Sequence, residues 1–269
     1  MTEVLAVKFT FPKLYDPLIT KLKLVDEGKQ ELLLTELREV KTPTTLGFLN
    51  QHGYNIAHTD KDVRRNFLRL NYLLRDGIGV KVACQLNGRE PRANLNGTDF
   101  IPDLIEHLDG DTGRFQFFAL GTQEPWLSEG AARLFKGRPF TAADGFRDAD
   151  SYPEFVAEHL QPGKTPIIVL AMGMPKQEEV AIKLQRALKG PALMICGGAI
   201  LDFSAERFSR APLPVRKIGM EWAYRLLKEP RRLFKRYVIG IPQFFYYVVR
   251  NGLGSTVRVS EQGAYNRKS

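Results

Sequence analysis

The chain reads as a doubly wound α/β fold on a mostly parallel sheet, followed by a basic amphipathic helical appendage. Three observations predict this. Short apolar runs at Phe115–Gly121, Pro166–Leu170 and Ala192–Cys196 lead into glycine-bearing turns. Such runs are strands buried on both faces, and their alternation with helical stretches marks a parallel sheet. After Arg207 the composition changes to a basic, aromatic, proline-punctuated segment.

In chain order, residues 1–45 form an N-terminal arm. They open with loosely alternating residues (Val4, Ala6, Lys8, Phe9) and become charged, a strand or extended piece followed by a helix with a structural role. The core is assigned to residues 46–206. A helix is expected over Val63–Leu70, after which Leu73–Val80 brings Asp76 to the edge of a glycine loop; taken alone, an Asp-Gly pair is most simply a turn. Phe100–Leu108 is helical with Thr98 or Asp99 as its N-cap, and a helix runs from about Pro125 to Phe135.

The stretch Met172-Gly173-Met174-Pro175 converts the strand before it into a helix beginning near Pro175, where proline is tolerated because a first-turn N–H lacks an intrahelical partner. The free N–H groups of that turn suit an anion. Ala192–Cys196 then runs into Gly197-Gly198-Ala199, ahead of Asp202 and Phe203. Two adjacent strand-to-glycine turns make a crevice at the carboxyl edge of the sheet, which a nucleotide diphosphate fits. Neither turn carries G-x-G-x-x-G with an acidic residue at the next strand end, and no Walker loop is present, which argues against a dehydrogenase or a P-loop enzyme.

Residues 207–251 are the appendage and 252–269 a tail. A helix is expected from about Val215 to Lys228, with Val215, Ile218, Trp222 and Leu226 on one stripe, and Pro230 starts the next. At about 100° per residue, Arg231, Arg232, Lys235 and Arg236 share one face and Leu233, Phe234, Tyr237, Val238 and Ile241 the opposite one, with Ile239 out of place. Phe244 to Val249 then add an aromatic and aliphatic run beside the basic face, a combination suited to the headgroup boundary of an anionic membrane.

Charge supports one anionic partner. The chain of 269 residues carries a net charge of +9, and residues 207–251 hold eleven basic against two acidic side chains while the remainder balances. Cys84 and Cys196 are far apart in apolar runs, which excludes a disulfide scaffold and a zinc site and fits the cytosol. The start has no signal-peptide pattern, and no stretch reaches the roughly 20 apolar residues of a spanning helix.

The segments RDGIGV (from Arg75), GMPKQE (from Gly173), GGAILDF (from Gly197), RAP (from Arg210) and EWAYRLLKEPRRLFKRY (from Glu221), in this order and spacing, resemble the WecG/TagA/CpsF glycosyltransferases across roughly Leu46 to Tyr247. Thr141–Phe146 resembles the family's strand and glycine-aromatic turn. The resemblance implies a Rossmann-like, inverting enzyme of exopolysaccharide, capsule or wall-polymer assembly. It would move a sugar from a UDP-sugar to a polyprenyl-diphosphate-linked saccharide, working peripherally at the inner face of the cytoplasmic membrane. Asp76 is then the base that takes the proton from the acceptor hydroxyl. Asn50 contacts the acceptor; its plain alternative is a turn residue. Phe48 stands where the family usually shows threonine, so acceptor contacts here are expected to differ. Donor contacts fall to Gly173, Pro175, Lys176, Gln177, Glu178, Gly197, Gly198 and Asp202, several of which could equally be helix-cap or surface residues. Arg210, Arg225, Arg231, Arg232 and Arg236 are assigned to diphosphate and membrane, with Lys235 at a position often held by arginine.

No cofactor and no metal are expected. Three Asp-x-Asp triplets (Asp60 and Asp62, Asp109 and Asp111, Asp148 and Asp150) sit in polar turns and read as solvated, and the resemblance implies transfer without a metal, with helix N-termini and cations neutralising the leaving phosphates. The alternative from another class is a nucleic-acid binder using the basic aromatic tail, which leaves the glycine loops unexplained. The oligomeric state is open.

Overall fold

The computed structural model describes residues 16–108 and 113–251. The alternating start at Val4 to Phe9, the tail 252–269 and the pair Asp109 and Asp111 lie outside the described residues. Helices α1 (Pro17–Lys21) and α2 (Gln30–Arg38) precede β1 (Pro43–Leu49), α3 (Gln51–Thr59), α4 (Lys61–Arg69), β2 (Tyr72–Arg75), α5 (Gly77–Leu86) and α6 (Gly97–His107). Then come β3 (Phe115–Gly121), α7 (Trp126–Leu134), β4 (Phe140–Ala143), α8 (Ser151–His159), β5 (Thr165–Ala171), α9 (Lys176–Ala187), β6 (Ala192–Cys196) and α10 (Ile200–Ser204). The sheet is parallel in every pairing, with strand order β2-β1-β6-β5-β3-β4.

This is the Rossmann-like doubly wound arrangement that the alternation of apolar runs predicts. All residues of β5 and β6 are buried, because helices cover both faces. On one face Tyr54, Phe67, Val80, Tyr152, Val180 and Leu184 pack against Leu49, Ile168 and Met194. On the other, Leu37, Phe100, Leu104, Leu127 and Leu134 meet Phe48, Phe117, Ile167 and Ile195. Residues 16–38, read as part of an arm, place Leu18, Ile19, Leu33 and Leu37 in these cores. Gly130 lets α7 lie directly on the backbone of α10: a Cβ there would stand 2.2 Å from the carbonyl oxygen of Leu201.

Three local expectations need correction. Helix α6 starts at Gly97, and its cap is Asn96, not Thr98 or Asp99; Asn96 is extended and its Oδ1 accepts from the Asp99 N–H at 3.1 Å. The helix expected over Val215–Lys228 is two, α11 (Leu213–Lys217) and α12 (Glu221–Lys228), because Gly219 takes φ +74° between them.

The third concerns the last helix. From α13 (Pro230–Phe234) it continues to Asn251, but Lys235–Ile239 is a π turn. A wider turn breaks the 100° count. The predicted apolar face therefore splits: Leu233 and Tyr237 are buried, whereas Phe234 and Val238 join Ile239 outside, and of the run expected at a membrane boundary Phe244 and Val248 are buried while Phe245, Tyr246 and Val249 are exposed. Arg236 leaves the basic face and turns inward, while Arg231, Arg232 and Lys235 stay exposed. Among the described residues no helix is long and apolar enough to cross a membrane.

Candidate active site

The site begins where β1 and β2 end side by side. Asn50 follows β1 and caps α3, its Oδ1 accepting from the N–H groups of His52 at 3.1 Å and Gly53 at 3.0 Å. That bond fixes the amide's orientation, so Nδ2 faces the next strand end and donates to Asp76 Oδ2 at 3.3 Å. Asp76 occupies the N-cap position of α5 without using its carboxylate as a cap, and its N–H bonds to Leu49 O at 3.0 Å. The side chain is thereby left for the cavity in front of it. Gly77, at φ +88°, turns the chain away from it.

That cavity, about 460 Å³, has two kinds of wall. Asn50, Gln51, His52, Asn94, Asn96 and Thr98 are polar; Ile78, Val82, Trp222, Ile241, Phe244 and Phe245 are apolar. Arg216, Glu221, Arg225 and Arg236 line it from the appendage. Burial pushes the Asp76 carboxyl above the usual aspartate range, and Glu221 adds to the rise. The Asn50 amide and the charges of Arg236 and Arg225 oppose it. His52 is held down to about 4 by burial and by Arg236, so it is neutral at physiological pH. The Nε of Arg236 is buried without a partner among the described residues.

The structure thus gathers Asn50, Asp76, Arg225 and Arg236 into one cavity. The eight residues assigned to the donor lie on the same carboxyl edge of the sheet but outside that cavity's lining. With strands about 4.8 Å apart, the ends of β6 and β5 stand roughly 10 and 14 Å from Asp76. There Gln177 Oε1 accepts from the Gly198 N–H at 2.8 Å while its amide donates to Glu178 Oε1 at 2.7 Å. Burial lifts the Glu178 carboxyl to about 7, and its Oε2 has no partner among the described residues. Lys176 donates to the carbonyls of Gly145 and Arg147. Asp202 accepts from Thr122 Oγ1 at 2.8 Å and from Arg207, whose guanidinium lies 3.8 Å from the Trp126 ring centre.

Of the remaining arginines, Arg210 is bonded to Asp99 at 2.8 Å, and Arg232 to Glu229 at 2.6 Å with Phe208 beneath it. Arg231 is exposed. Phe48 points into the core, edge-on to Phe100 and against Gly97, and does not line the cavity. Sequence reasoning missed Gln51, His52, Asn94, Asn96, Thr98, Arg216, Glu221 and Trp222. The available signal was the alternation of Asn94, Asn96 and Thr98 around Leu95, of which only Thr98 entered the sequence reading, as a helix cap. Asp60 caps α4, Asp62 pairs with Arg65, and Asp148 accepts from the Asp150 N–H. Among the described residues no group of three or more His, Cys, Asp or Glu is gathered as a metal would need.

The glycosyl transferase WecG/TagA/CpsF family model matches residues 19–258. The chain belongs to this family. It is a glycosyltransferase, and the nucleic-acid alternative finds no support. Among its relatives are two proteins called N-acetylglucosaminyldiphosphoundecaprenol N-acetyl-beta-D-mannosaminyltransferase. That of Bacillus spizizenii is 26% identical over 182 residues, 67% of this chain and 69% of the relative. That of Staphylococcus aureus (strain MW2) is 25% identical over 207 residues, 75% and 78%.

Proposed function

We propose that this glycosyltransferase moves a sugar from a UDP-sugar to a polyprenyl-diphosphate-linked saccharide, with inversion, in the assembly of an exopolysaccharide, capsule or wall polymer. The relatives' names motivate the acceptor class: they act on an N-acetylglucosaminyl-diphosphate lipid. The carrying observation is Asp76, a desolvated carboxylate held by Asn50 at the floor of a cavity roofed by arginines. A carboxyl with a raised pKa is a better proton acceptor than an ordinary one, and the Asn50 amide and the charges of Arg236 and Arg225 favour its ionised, basic form.

In this reading the amide-rich wall receives the acceptor sugar. Arg216, Arg225 and Arg236 take its diphosphate, and Ile78, Ile241, Phe244 and Phe245 take the first isoprene units. The UDP-sugar lies across the ends of β5 and β6, with Gly173, Pro175, Lys176, Gln177, Glu178, Gly197, Gly198 and Asp202 around it, its anomeric carbon reaching toward Asp76. Helix N-termini and cationic side chains at those strand ends neutralise the leaving diphosphate in place of a metal ion. The protein acts peripherally at the inner face of the cytoplasmic membrane, with residues 207–251 as the membrane-facing, site-completing unit.

Asp76→Asn tests this. Transfer to a short-chain polyprenyl-diphosphate sugar should fall by about 10²–10⁴-fold, while UDP-sugar binding and folding persist. Because the ionised carboxylate is disfavoured by burial, the variant should melt no lower than the parent. Full activity in it would remove Asp76 as base. Dialysis against EDTA is expected to leave the rate unchanged.

A further inference from the structure

Helices α11 and α12 contain no buried residue, yet Arg216, Glu221, Trp222 and Arg225 from this stretch close the cavity opposite Asp76. Ring contacts help to seat α12, with Trp222 5.9 Å from Tyr237 between centroids and the Arg225 guanidinium 5.2 Å from the Phe203 centroid. Among the described residues, side-chain hydrogen bonds from Arg210 to Lys228 reach the core at a single residue: Asp99 Oδ1 accepts from Arg210 at 2.8 Å and from Arg216 at 3.1 Å.

We propose that Asp99 is a positioning residue for sugar transfer, which fixes α11 and α12 over Asp76 through Arg210 and Arg216. This rests on the transfer reaction proposed above. Asp99 is pre-aimed for the task, since Asn96 Nδ2 donates to its Oδ2 at 2.8 Å and Asn96 Oδ1 accepts from its N–H at 3.1 Å. One oxygen is thereby tied to the cavity wall and the other is left for the two guanidiniums. Although desolvation pushes its carboxyl up, the bonds from Asn96 and Arg210 and the nearby positive charges hold it below the usual range, so it stays ionised. A lone exposed ion pair contributes little. Here one half-exposed carboxylate serves two cations whose side chains are 30% and 23% exposed, and the Nε of each is buried with no hydrogen-bond partner among the described residues. Asp99 is therefore what orients them.

The chain has two tryptophans, so Trp126→Phe leaves Trp222 as a single reporter on the roof. In that full-length background, Asp99→Asn is expected to raise acrylamide quenching of Trp222 about twofold. The KM for polyprenyl-diphosphate sugar should rise about fivefold with little change in the KM for UDP-sugar or in melting temperature. Asp99→Glu should recover most of both effects. Unchanged quenching and acceptor KM in Asp99→Asn would overturn the inference, as would a lowered melting temperature with quenching unchanged, which would mark a merely structural cap of α6. Because quenching needs no substrate, a parent that transfers no sugar while its Asp99→Asn variant opens would sink the transfer reading and leave the hold of Asp99 standing.

Discussion

At the scale of single residues the site turns on how Asn50 is spent. Its carbonyl oxygen caps α3 and its amide reaches Asp76, so the two roles separate by substitution. Asn50→Ala loses both and should cost about 1 kcal/mol of stability along with activity. Asn50→Asp keeps the cap but sets a second carboxylate against Asp76, so it should fold like the parent and transfer poorly; melting curves and initial rates distinguish them. The pH profile follows from the charges around Asp76. The base acts when deprotonated and its pKa is raised, so the acid limb of kcat/KM should lie above that of an ordinary aspartate. Glu221→Gln removes a charge that raises the Asp76 pKa and should move the limb down. Arg236→Gln removes one that lowers it and should move the limb up.

At the scale of elements, close packing and the exposed helix face give separate tests. Gly130→Ala would drive a methyl into the Leu201 carbonyl and should destabilise the protein by about 1–3 kcal/mol, read as a shift in urea midpoint. The outward row Phe234, Val238, Phe245 and Val249 next to exposed Arg231 and Lys235 supports the proposed membrane face. Phe234→Glu with Val249→Glu should reduce sedimentation with anionic vesicles without unfolding the chain. Deleting the whole segment would be a poorer experiment, because Phe244 and Val248 are fully buried in the core beside Tyr54.

At the scale of the whole molecule, the two ends of the described chain meet. Tyr54 donates to buried Asp16 at 2.5 Å, and the Asn251 amide lies within 3.5 Å of Asp16, Tyr54 and His58. Tyr54→Phe leaves the buried carboxylate short of a donor and should cost about 1–3 kcal/mol. Burial holds His58 down to about 4, with Arg64 and Arg250 adding to the effect and Asp16 opposing it. A depressed histidine means that below about 6.5 the unfolded chain takes up the proton first. Stability should therefore fall as pH drops from about 6.5 to about 4, and His58→Gln should flatten that slope in urea titrations.

How much of this was legible depended on the range of the cause. Burial on both faces writes itself into consecutive residues, so Phe115–Gly121 and Ala192–Cys196 could be read to the residue. The carboxyl ends of those strands were legible too, because glycine and proline act on their own neighbours, and Asp76 and Asn50 fell where the motifs indicated. The inward turn of Arg236 was not legible, since a π turn changes which side of a helix a residue faces without changing its composition. Nor was the pairing of Asp99 with Arg210 and Arg216, more than a hundred positions apart. The sequence by itself determined the central strands β3, β5 and β6 and the glycine turns that follow them, because backbone preference and hydrophobic patterning are local. Only the tertiary structure decided which arginines roof the cavity and which face solvent, because that depends on contacts between segments that no local pattern encodes.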